Sequence, residues 1–376
     1  MKIIADDKIP FLKGVLEPFC DIDYLPGNKI QNSDLVDVDG LIIRTRTHCN
    51  EELLAGTKVK FIATATIGFD HIDESYCAKQ NIKWTNAPGC NSGSVQQWFM
   101  ASLLFYAQQN KIDLTTRSLG IIGVGNVGSK ILDFAENLGM RVLLNDPPKS
   151  DLEGLCGFIS LESILRESDI ITCHVPLSYE NPYSTFHLAN EVFFKKIMNG
   201  SIFVNSSRGE VVDTGALNET IDSGKFEGVI LDVWENEPQI DLNLLNKVEI
   251  ATPHIAGYSV DGKANGTAMS VNALSKVFNM PLDDWYPDDI PTANDKMSIE
   301  IDAKKKSYQA VLTEAILGTY DILSDDKSLR SYPSKFENLR GSYPIRREPK
   351  AWQIKLQNDH RNFNQRLENL GFSVMG

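Results

Sequence analysis

Three side chains in the second half of the chain have the types needed to move a proton beside a carboxylate group. Arg208 lies in the run NSSRG, Glu237 in DVWENEP and His254 in TPHIAGY, and each follows a short apolar run. An arginine can bind a carboxylate through two parallel hydrogen bonds. A histidine titrates near neutral pH, and a carboxylate bonded to its second ring nitrogen stabilises the protonated ring. The three residues therefore predict a site that anchors an anionic substrate and transfers a proton.

Each of these residues also has an ordinary structural explanation. A lone arginine in a turn is usually a surface residue, a histidine after proline is often satisfied within its turn, and an acid before proline often begins a loop. The functional interpretation is favoured because the three follow successive predicted strands. We interpret His174, which follows an earlier strand, as a residue that could line a cofactor cleft, and the other histidines as structural or surface residues.

A glycine-rich turn upstream predicts a dinucleotide site. The run LGII leads into GVGNVG and then into a helical stretch, which is the context in which G-x-G-x-x-G binds a dinucleotide. Gly123 permits the tight turn, Gly125 lets the backbone approach a pyrophosphate, and Gly128 allows the helix to pack closely on the strand. Asp146 ends the next predicted strand, where its carboxylate would bind the adenosine ribose. Its charge favours NAD over NADP, although Lys149 lies nearby.

Together, these two groups of residues suit the oxidation of a hydroxy acid or the reduction of a keto acid. In such a reaction the cofactor carries the hydride and the protein must carry the proton. The alternative for the glycines is an ordinary turn, with Asp146 beginning a loop. The register of strand, glycines, helix and acid makes that alternative the weaker one.

The elements that must position these residues alternate between strands and helices. The predicted strands are Lys2–Ile4, Leu41–Arg44, Lys60–Ala63, Leu119–Ile122, Arg141–Asn145, Ile170–Cys173, Ser201–Asn205, Gly228–Asp232 and Glu249–Ala251. Several are continuously apolar, which is typical of parallel strands covered on both faces. The predicted helices include Val95–Gln108, Val127–Leu138, Thr214–Ser223 and Ala264–Phe278. This alternation predicts a doubly wound α/β architecture.

The alternation restarts near Leu119, so we expect two α/β domains. The substrate-binding (catalytic) domain is expected at residues 1–92 and 256–285, and the NAD-binding domain at residues 93–255. A linker rich in proline and aspartate follows at Pro281–Pro291. Beyond it, the pattern predicts one helix, Ile301–Leu323, and then a polar tail.

Composition limits the partners and the compartment. The 376 residues carry a net charge of −13, which argues against nucleic acid and anionic membranes as partners. The six cysteines form no C-x-x-C pair and no zinc spacing, so we expect reduced thiols and no metal site. The first ten residues, MKIIADDKIP, lack the basic patch and apolar run of a signal peptide. No apolar run approaches the length of a membrane span, so a cytoplasmic location is expected.

The motifs GVGNVG, NSSRGEVVD, LDVWENEP and TPHIAGYS, in this order and spacing, resemble the D-isomer-specific 2-hydroxyacid dehydrogenases. The resemblance implies NAD as the cofactor, and Arg208, Glu237 and His254 as catalytic residues with His254 as proton donor. It implies a Rossmann-type NAD-binding domain, a flavodoxin-like substrate domain and a nicotinamide contact at Asp232. The further cofactor contacts that it implies are Asn126, Val127, Asp146, Val175, Ser206, Ser207 and Gly257.

One branch of this family resembles the chain best, through TATIGFDHID, APGCN, NDPP, PHIAGYSVDGKANGT and YPIRRE. In that branch the substrate is a phosphorylated four-carbon hydroxy acid, and a C-terminal domain forms a homodimer. The resemblance implies an α+β dimerisation domain at residues 286–376 and substrate contacts at Thr45, Thr66 and Tyr258. Thr45 stands where a serine is usual, and SGSVQQ is more polar than the segment expected there.

A phosphorylated substrate needs cationic partners in an otherwise acidic chain. Arg44 and Arg46, at the end of a predicted strand, are the candidates. The alternative is a pair of surface arginines that flank Thr45. Arg346 and Arg347 either reach a neighbouring subunit's site or lie at the dimer interface.

Three functions stay open at this point. The first is a dehydrogenase of a phosphorylated sugar acid. The second keeps the chemistry and changes the substrate to phosphoglycerate, lactate or glycerate. The third is an NAD-sensing binding protein of the same fold, in which a complete catalytic set would be idle. Glu237 argues against a formate dehydrogenase, in which the histidine pairs with a glutamine.

Overall fold

The computed structural model describes residues 1–154, 157–294, 296–359 and 362–375. Cys156 and His360 lie outside these residues. The chain divides into two compact units. The first unit contains Met1–Asn91 and Ser259–Pro291, and the second contains Ser92–Tyr258 and Thr292–Gly376.

The first unit is built on a sheet of five parallel strands in the order β2-β1-β3-β4-β5. They are β1 (Lys2–Asp6), β2 (Asp21–Leu25), β3 (Gly40–Ile43), β4 (Phe61–Thr64) and β5 (Lys83–Thr85), with short helices α1 (Glu51–Leu54) and α2 (Glu74–Lys79). This is the flavodoxin-like order, as predicted. Strands β2 and β5 escaped prediction because they lie at the edges of the sheet, are partly exposed and carry no continuous apolar run.

The second unit contains a sheet of six parallel strands in the order β11-β10-β9-β8-β6-β7. They are β6 (Ser118–Ile122), β7 (Arg141–Asn145), β8 (Ile170–Cys173), β9 (Ser201–Asn205), β10 (Phe226–Leu231) and β11 (Ile250–Ala251). The chain passes from β6 to its outer neighbour β7 and then returns to β8 on the other side of β6. Open α/β sheets bind ligands at such a switch point, beyond the carboxyl ends of the strands.

The helices of this part of the second unit alternate with its strands, as the sequence predicts. They are α3 (Ser92–Asn110), α4 (Asn126–Leu138), α5 (Pro147–Glu153), α6 (Leu161–Glu167), α7 (Glu191–Lys196), α8 (Thr214–Asp222) and α9 (Leu242–Lys247). The long helix α3 is buried over most of its surface, including Trp98 and Phe99. A helix that is apolar on several faces must be covered on several faces.

After the second unit's sheet, helix α10 (Val260–Phe278) returns to the first unit. Its start is capped by the Ser259 hydroxyl, which accepts from the Gly262 N–H. Val271 and Leu274 join the apolar cluster that contains Ile3 in β1. This packing agrees with the expectation that the segment packs on the first block of the chain.

The C-terminal part of the second unit is α+β and holds a sheet of three parallel strands in the order β12-β13-β14. Its elements are β12 (Ser298–Asp302), α11 (Tyr308–Thr319), α12 (Ile322–Ser331), α13 (Phe336–Gly341), β13 (Gln353–Gln357), α14 (Phe363–Glu368) and β14 (Ser373–Met375). The prediction of one helix, Ile301–Leu323, was therefore wrong, as was the prediction of a polar tail. Ile301 is the buried residue of a strand with alternating exposure, and α11 begins only after its Ser307 cap.

Candidate active site

The glycine turn between β6 and α4 leaves room for an anion. Gly123 has φ +87°, and a Cβ there would lie 2.6 Å from the His174 carbonyl oxygen, while a Cβ on Gly128 would collide with the Gly123 carbonyl. At Gly125, by contrast, a Cβ would meet no atom within 4 Å. Helix α4 begins at Asn126, and among the described residues no side chain caps its start. An uncapped helix start beside an open glycine position fits a pyrophosphate at a helix N-terminus.

Asp146, directly after β7, forms hydrogen bonds both within its own turn and to the glycine turn. Its Oδ2 accepts from the Val124 N–H at 2.8 Å, and its Oδ1 accepts from the Lys149 N–H at 3.1 Å as the cap of α5. A carboxylate oxygen can accept a second hydrogen bond, so this acid can still bind a ribose hydroxyl. Val175 lies beside Gly123, 2.8 Å from where a Cβ on that glycine would stand.

The turn after β9 holds Arg208. The Asn205 Oδ1 accepts from the N–H and the hydroxyl of Ser207, and its Nδ2 donates to the Arg208 carbonyl at 2.9 Å. The Arg208 Nη1 donates to the Ser207 carbonyl at 2.7 Å. Within the described residues, the buried Ser206 hydroxyl has no hydrogen-bond partner. An unsatisfied buried hydroxyl in a predicted cofactor turn fits a ligand partner.

Glu237 and His254 lie together, after the neighbouring strands β10 and β11. The Glu237 Oε2 is 2.7 Å from the His254 Nδ1, and its Oε1 accepts from the Trp234 N–H at 3.0 Å. Their side chains are 18% and 30% exposed, so the pair is partly shielded but can still be reached. The Arg208 turn packs against the same loop, because Gly209 has no Cβ to collide with the Trp234 carbonyl.

The loop that carries His254, which we call the catalytic loop (residues 253–258), is held by Asp232. The Asp232 carboxylate is almost fully buried and accepts from the Thr252 hydroxyl and from the N–H groups of Ile255 and Ala256. The His254 N–H donates to the Asp232 carbonyl at 2.7 Å. The nicotinamide contact of Asp232 stays a prediction, whereas its role in holding this loop is visible in the structure. Gly257 lies in the same loop.

His254 adopts φ +55°, in the left-handed region that non-glycine residues rarely occupy. Such a conformation costs of the order of 1 kcal/mol and persists only where its surroundings enforce it. The hydrogen bonds from the catalytic loop to Asp232 supply that constraint.

Tyr258, at the end of the catalytic loop, lies beside an arginine that belongs to none of the sequence motifs. The guanidinium of Arg340, in α13, lies 5.6 Å from the centre of the Tyr258 ring. Burial lowers the pKa of Arg340, but nearby Tyr258 and Glu237 raise this pKa by more than burial lowers it. The net pKa shift is therefore upward, and the side chain stays charged. Arg340 also pairs with Glu337 at 3.0 Å.

The remaining substrate candidates lie in the first unit. Arg44 is half-buried after β3 and its Nη1 donates to the Lys8 carbonyl at 3.4 Å, whereas Thr45 and Arg46 are exposed. Thr66 follows β4, and its hydroxyl lies 2.9 Å from the Gly68 carbonyl and 2.7 Å from the Thr64 hydroxyl. These positions leave the predicted substrate contacts as predictions.

His71 is buried, His174 is half-buried, and both rings are neutral. The His71 Nε2 is 3.0 Å from the Thr64 hydroxyl, and burial lowers the pKa of this ring to about 4. The His174 Nε2 is 2.9 Å from the Thr172 hydroxyl, and burial lowers its pKa to about 3. Neither ring is suited to carry a proton at neutral pH.

The described residues contain no group of three or more His, Cys, Asp or Glu side chains placed to hold a metal ion. Among those same residues, no helix combines the length and the apolar character that crossing a membrane requires. The described cysteines, Cys20, Cys49, Cys77, Cys90 and Cys173, are not joined in disulfide bonds.

Comparison with known families gives three matches. The catalytic domain of the D-isomer specific 2-hydroxyacid dehydrogenases matches residues 3–174, and their NAD binding domain matches residues 94–256. A domain of unknown function matches residues 294–371.

Individual relatives extend these matches over nearly the whole chain. The erythronate-4-phosphate dehydrogenase of Bacteroides thetaiotaomicron is 50% identical over 355 residues, which cover 94% of this chain and 99% of the relative. The enzyme of that name from Escherichia coli O127:H6 is 38% identical, covering 93% and 92%. The structure of a D-lactate dehydrogenase from Aquifex aeolicus, complexed with NAD and lactic acid, is 27% identical. It has a TM-score of 0.61 and covers 74% of this chain and 96% of that one.

Proposed function

This chain belongs to the D-isomer-specific 2-hydroxyacid dehydrogenases, and we propose that it oxidises 4-phospho-D-erythronate to 2-oxo-3-hydroxy-4-phosphobutanoate with NAD. The observation that carries the chemistry is the Glu237–His254 hydrogen bond, which lies in the NAD-binding domain beside the Arg208 turn. The substrate is supported by the 50% identity to an erythronate-4-phosphate dehydrogenase over nearly the full length of both chains. The reaction belongs to the synthesis of pyridoxal 5′-phosphate, vitamin B6.

Arg208 and His254, both in the second unit, have different roles in the proposed reaction. When bound, NAD supplies the hydride acceptor. Arg208 binds the substrate carboxylate through its guanidinium nitrogens and polarises the reacting carbon. The His254 Nε2 takes the proton of the C2 hydroxyl as the C2 hydrogen leaves as hydride, so the carbinol becomes a ketone and one proton is released.

Glu237 acts on the reaction through His254. Its carboxylate holds the Nδ1 side of the ring and stabilises the imidazolium that forms when Nε2 takes the proton. Because the same carboxylate also accepts from the Trp234 N–H, its position is fixed by the backbone of its own loop.

The substrate phosphate needs partners beyond this set. We propose Arg44 and Arg46, supported by their position directly after β3 in a chain whose net charge is −13. Thr45, between them, and Thr66, after β4, are the proposed hydroxyl donors to the substrate, together with Tyr258. Alternative substrates that lack the phosphate would make no use of the two arginines.

We propose further that the protein is a cytoplasmic homodimer formed through residues 286–376. The absence of disulfide bonds among the described cysteines suits a reducing compartment. The C-terminal region leaves the large apolar side chains of Leu323, Tyr332, Ile345 and Met375 exposed, and exposed apolar side chains suit a subunit interface. Analytical ultracentrifugation should give a mass about twice 41.9 kDa, and a monomer would contradict the proposal.

The test of the activity is a comparison of 4-phosphoerythronate, 3-phosphoglycerate and D-lactate, each with NAD, followed by NADH absorbance. We expect kcat/KM to be highest for 4-phosphoerythronate. A preference for either other acid would keep the family and change the substrate. Turnover on none of them, with NAD bound, would favour an NAD-sensing binding protein instead.

A further inference from the structure

The segment YPIRRE, Tyr343–Glu348, binds the carbonyl groups of the catalytic loop. Arg346 is 4% exposed, and its Nη2 donates to the carbonyl of Ile255 at 3.1 Å and to that of Ala256. Asp232 accepts from the N–H groups of the same two residues, at 2.8 and 2.9 Å. Residues 255 and 256, directly after His254, are thus bound on their N–H side by an acid and on their carbonyl side by an arginine.

Arg346 is itself set in a polar and aromatic cluster. Its guanidinium lies 4.6 Å from the centre of the Tyr320 ring and 5.6 Å from that of Tyr343. The hydroxyls of both tyrosines donate to Asp325, at 2.6 and 2.7 Å. The buried positive charge of Arg346 is therefore linked through the Tyr343 hydroxyl to the half-buried Asp325 carboxylate, and it lies against two aromatic rings. These contacts offset part of its desolvation cost.

The other end of the segment is anchored to helix α3. The Ser94 hydroxyl donates to the buried Glu348 carboxylate at 2.9 Å, and Gly93 has no Cβ to collide with that carboxylate. The Gln97 Nε2 donates to the Arg347 carbonyl at 2.9 Å. With its neighbours tied to a buried helix, Arg346 has little freedom to follow a shift of the catalytic loop.

We propose that Arg346 is a positioning residue for hydride and proton transfer, which holds the catalytic loop so that the His254 ring keeps its orientation. His254 needs this support because its left-handed backbone would relax if the following peptide groups were released. A shift of about 1 Å in a catalytic group can cost about a hundredfold in rate. The C-terminal domain therefore takes part in catalysis through the backbone of residues 255 and 256. This inference rests on the proposed function.

The competing explanation is that Arg346 only stabilises the fold, and the chain offers a matched control. Arg366, also in the C-terminal region, lies 3.6 Å from the centre of the Tyr308 ring and donates to the Asn137 carbonyl. It thus resembles Arg346 in its contacts but is bound to the end of α4 rather than to the catalytic loop. Arg366→Met should reduce stability without changing the reaction.

The experiment compares Arg346→Met, Arg346→Lys and Arg366→Met in the full chain, well below their unfolding temperatures. We expect Arg346→Met to lower kcat by about tenfold to a hundredfold, with the NAD Kd unchanged. We expect Arg346→Lys, which keeps a donor for the carbonyls, to recover part of that loss. Arg366→Met should keep the wild-type kcat. Equal kcat values for the two methionine variants would overturn the proposal.

A second readout does not depend on the substrate. Amide hydrogen exchange should become faster in residues 252–258 of Arg346→Met, and not in Arg366→Met. If the wild type fails to oxidise 4-phosphoerythronate, the proposed function fails, but this exchange still decides the inference. Unchanged exchange in the loop overturns it. If Arg346→Met does not fold, kcat and amide exchange are measured in Arg346→Lys instead. Wild-type values of both in Arg346→Lys would overturn the proposal.

Discussion

His254 Nδ1 and Glu237 Oε2 lie 2.7 Å apart although 17 positions separate the residues in the chain. They meet because β10 and β11 are adjacent and parallel, so the loops that follow them leave the same edge of the sheet. In the proposed reaction, the Nε2 side of the ring takes the proton of the substrate hydroxyl.

Replacing His254 by alanine removes the proton carrier without touching the glycine turn. We expect kcat to fall by roughly 10²–10⁴-fold, while NAD still binds in a calorimetric titration. The matched control is His187→Asn, because the His187 Nε2 forms a second histidine–glutamate pair with Glu235 at 2.6 Å. The control should retain most of the turnover. Survival of turnover in His254→Ala would assign the proton transfer to another group.

Replacing Arg208 by lysine keeps the charge and removes the planar fork. One ammonium cannot make two parallel hydrogen bonds to a carboxylate, so kcat/KM should fall by roughly tenfold to a hundredfold. Arg141→Lys, at an exposed ion pair with Glu167, serves as the control and should behave like the wild type. An unchanged kcat/KM in Arg208→Lys would refute the anchoring role.

Replacing Asp146 by serine separates its charge from its capping role, since serine also caps helices. Without the charge, a 2′-phosphate is no longer repelled, and the preference for NAD over NADP should narrow by about tenfold, or ~1.4 kcal/mol. Asp241→Ser, at the cap of α9, controls for a helix cap distant from the glycine turn. The measurement is the ratio of kcat/KM with NAD to kcat/KM with NADP. An unchanged ratio in Asp146→Ser would exclude the contact between Asp146 and the ribose.

A methyl group at Gly125 tests the phosphate cradle. A Cβ there meets no protein atom within 4 Å and φ is −80°, so Gly125→Ala should fold with nearly wild-type stability. The methyl group would occupy the space into which the pyrophosphate must come, and the NAD Kd should rise by about tenfold or more. Gly341→Ala, which also meets open space, should leave the NAD Kd unchanged. Tight NAD binding by Gly125→Ala would place the pyrophosphate elsewhere.

His71 makes the first unit sensitive to acid. Its pKa is about 4 in the folded chain and 6.5 for a free ring, so the unfolded state takes up a proton first as the pH falls. Stability is therefore lost as the pH drops below 6.5, by about 2 kcal/mol at about pH 5. His71→Gln should show a smaller loss than the wild type between about pH 7 and pH 5 in urea unfolding. The same loss in both proteins would show that burial of His71 does not cause it.

The local patterns in the sequence predicted the α/β architecture of both sheets, apart from two edge strands, and a candidate catalytic set. Short apolar runs, several of them continuous, predicted nine of their eleven strands, because a buried parallel strand is apolar along its own length. The order of the motifs GVGNVG, NSSRG, DVWENEP and TPHIAGY then assigned a glycine turn and the three candidate side chains to strand ends. The same approach failed over Ile301–Leu323, where a short strand ends at Asp302 and a capped helix begins only at Tyr308, so that one apolar segment was predicted across two elements.

The support of the site was decided by the tertiary structure alone. Arg346 lies 90 positions from Ala256, and Arg340 reaches Tyr258 from a helix of the C-terminal region. No periodicity or spacing records a contact between residues so far apart in the chain. Asp232, selected from its motif as a cofactor contact, proves to hold the backbone beside His254. Residue types and local periodicity thus determined which chemistry the chain carries, whereas the packing of distant segments determined what holds that chemistry in place.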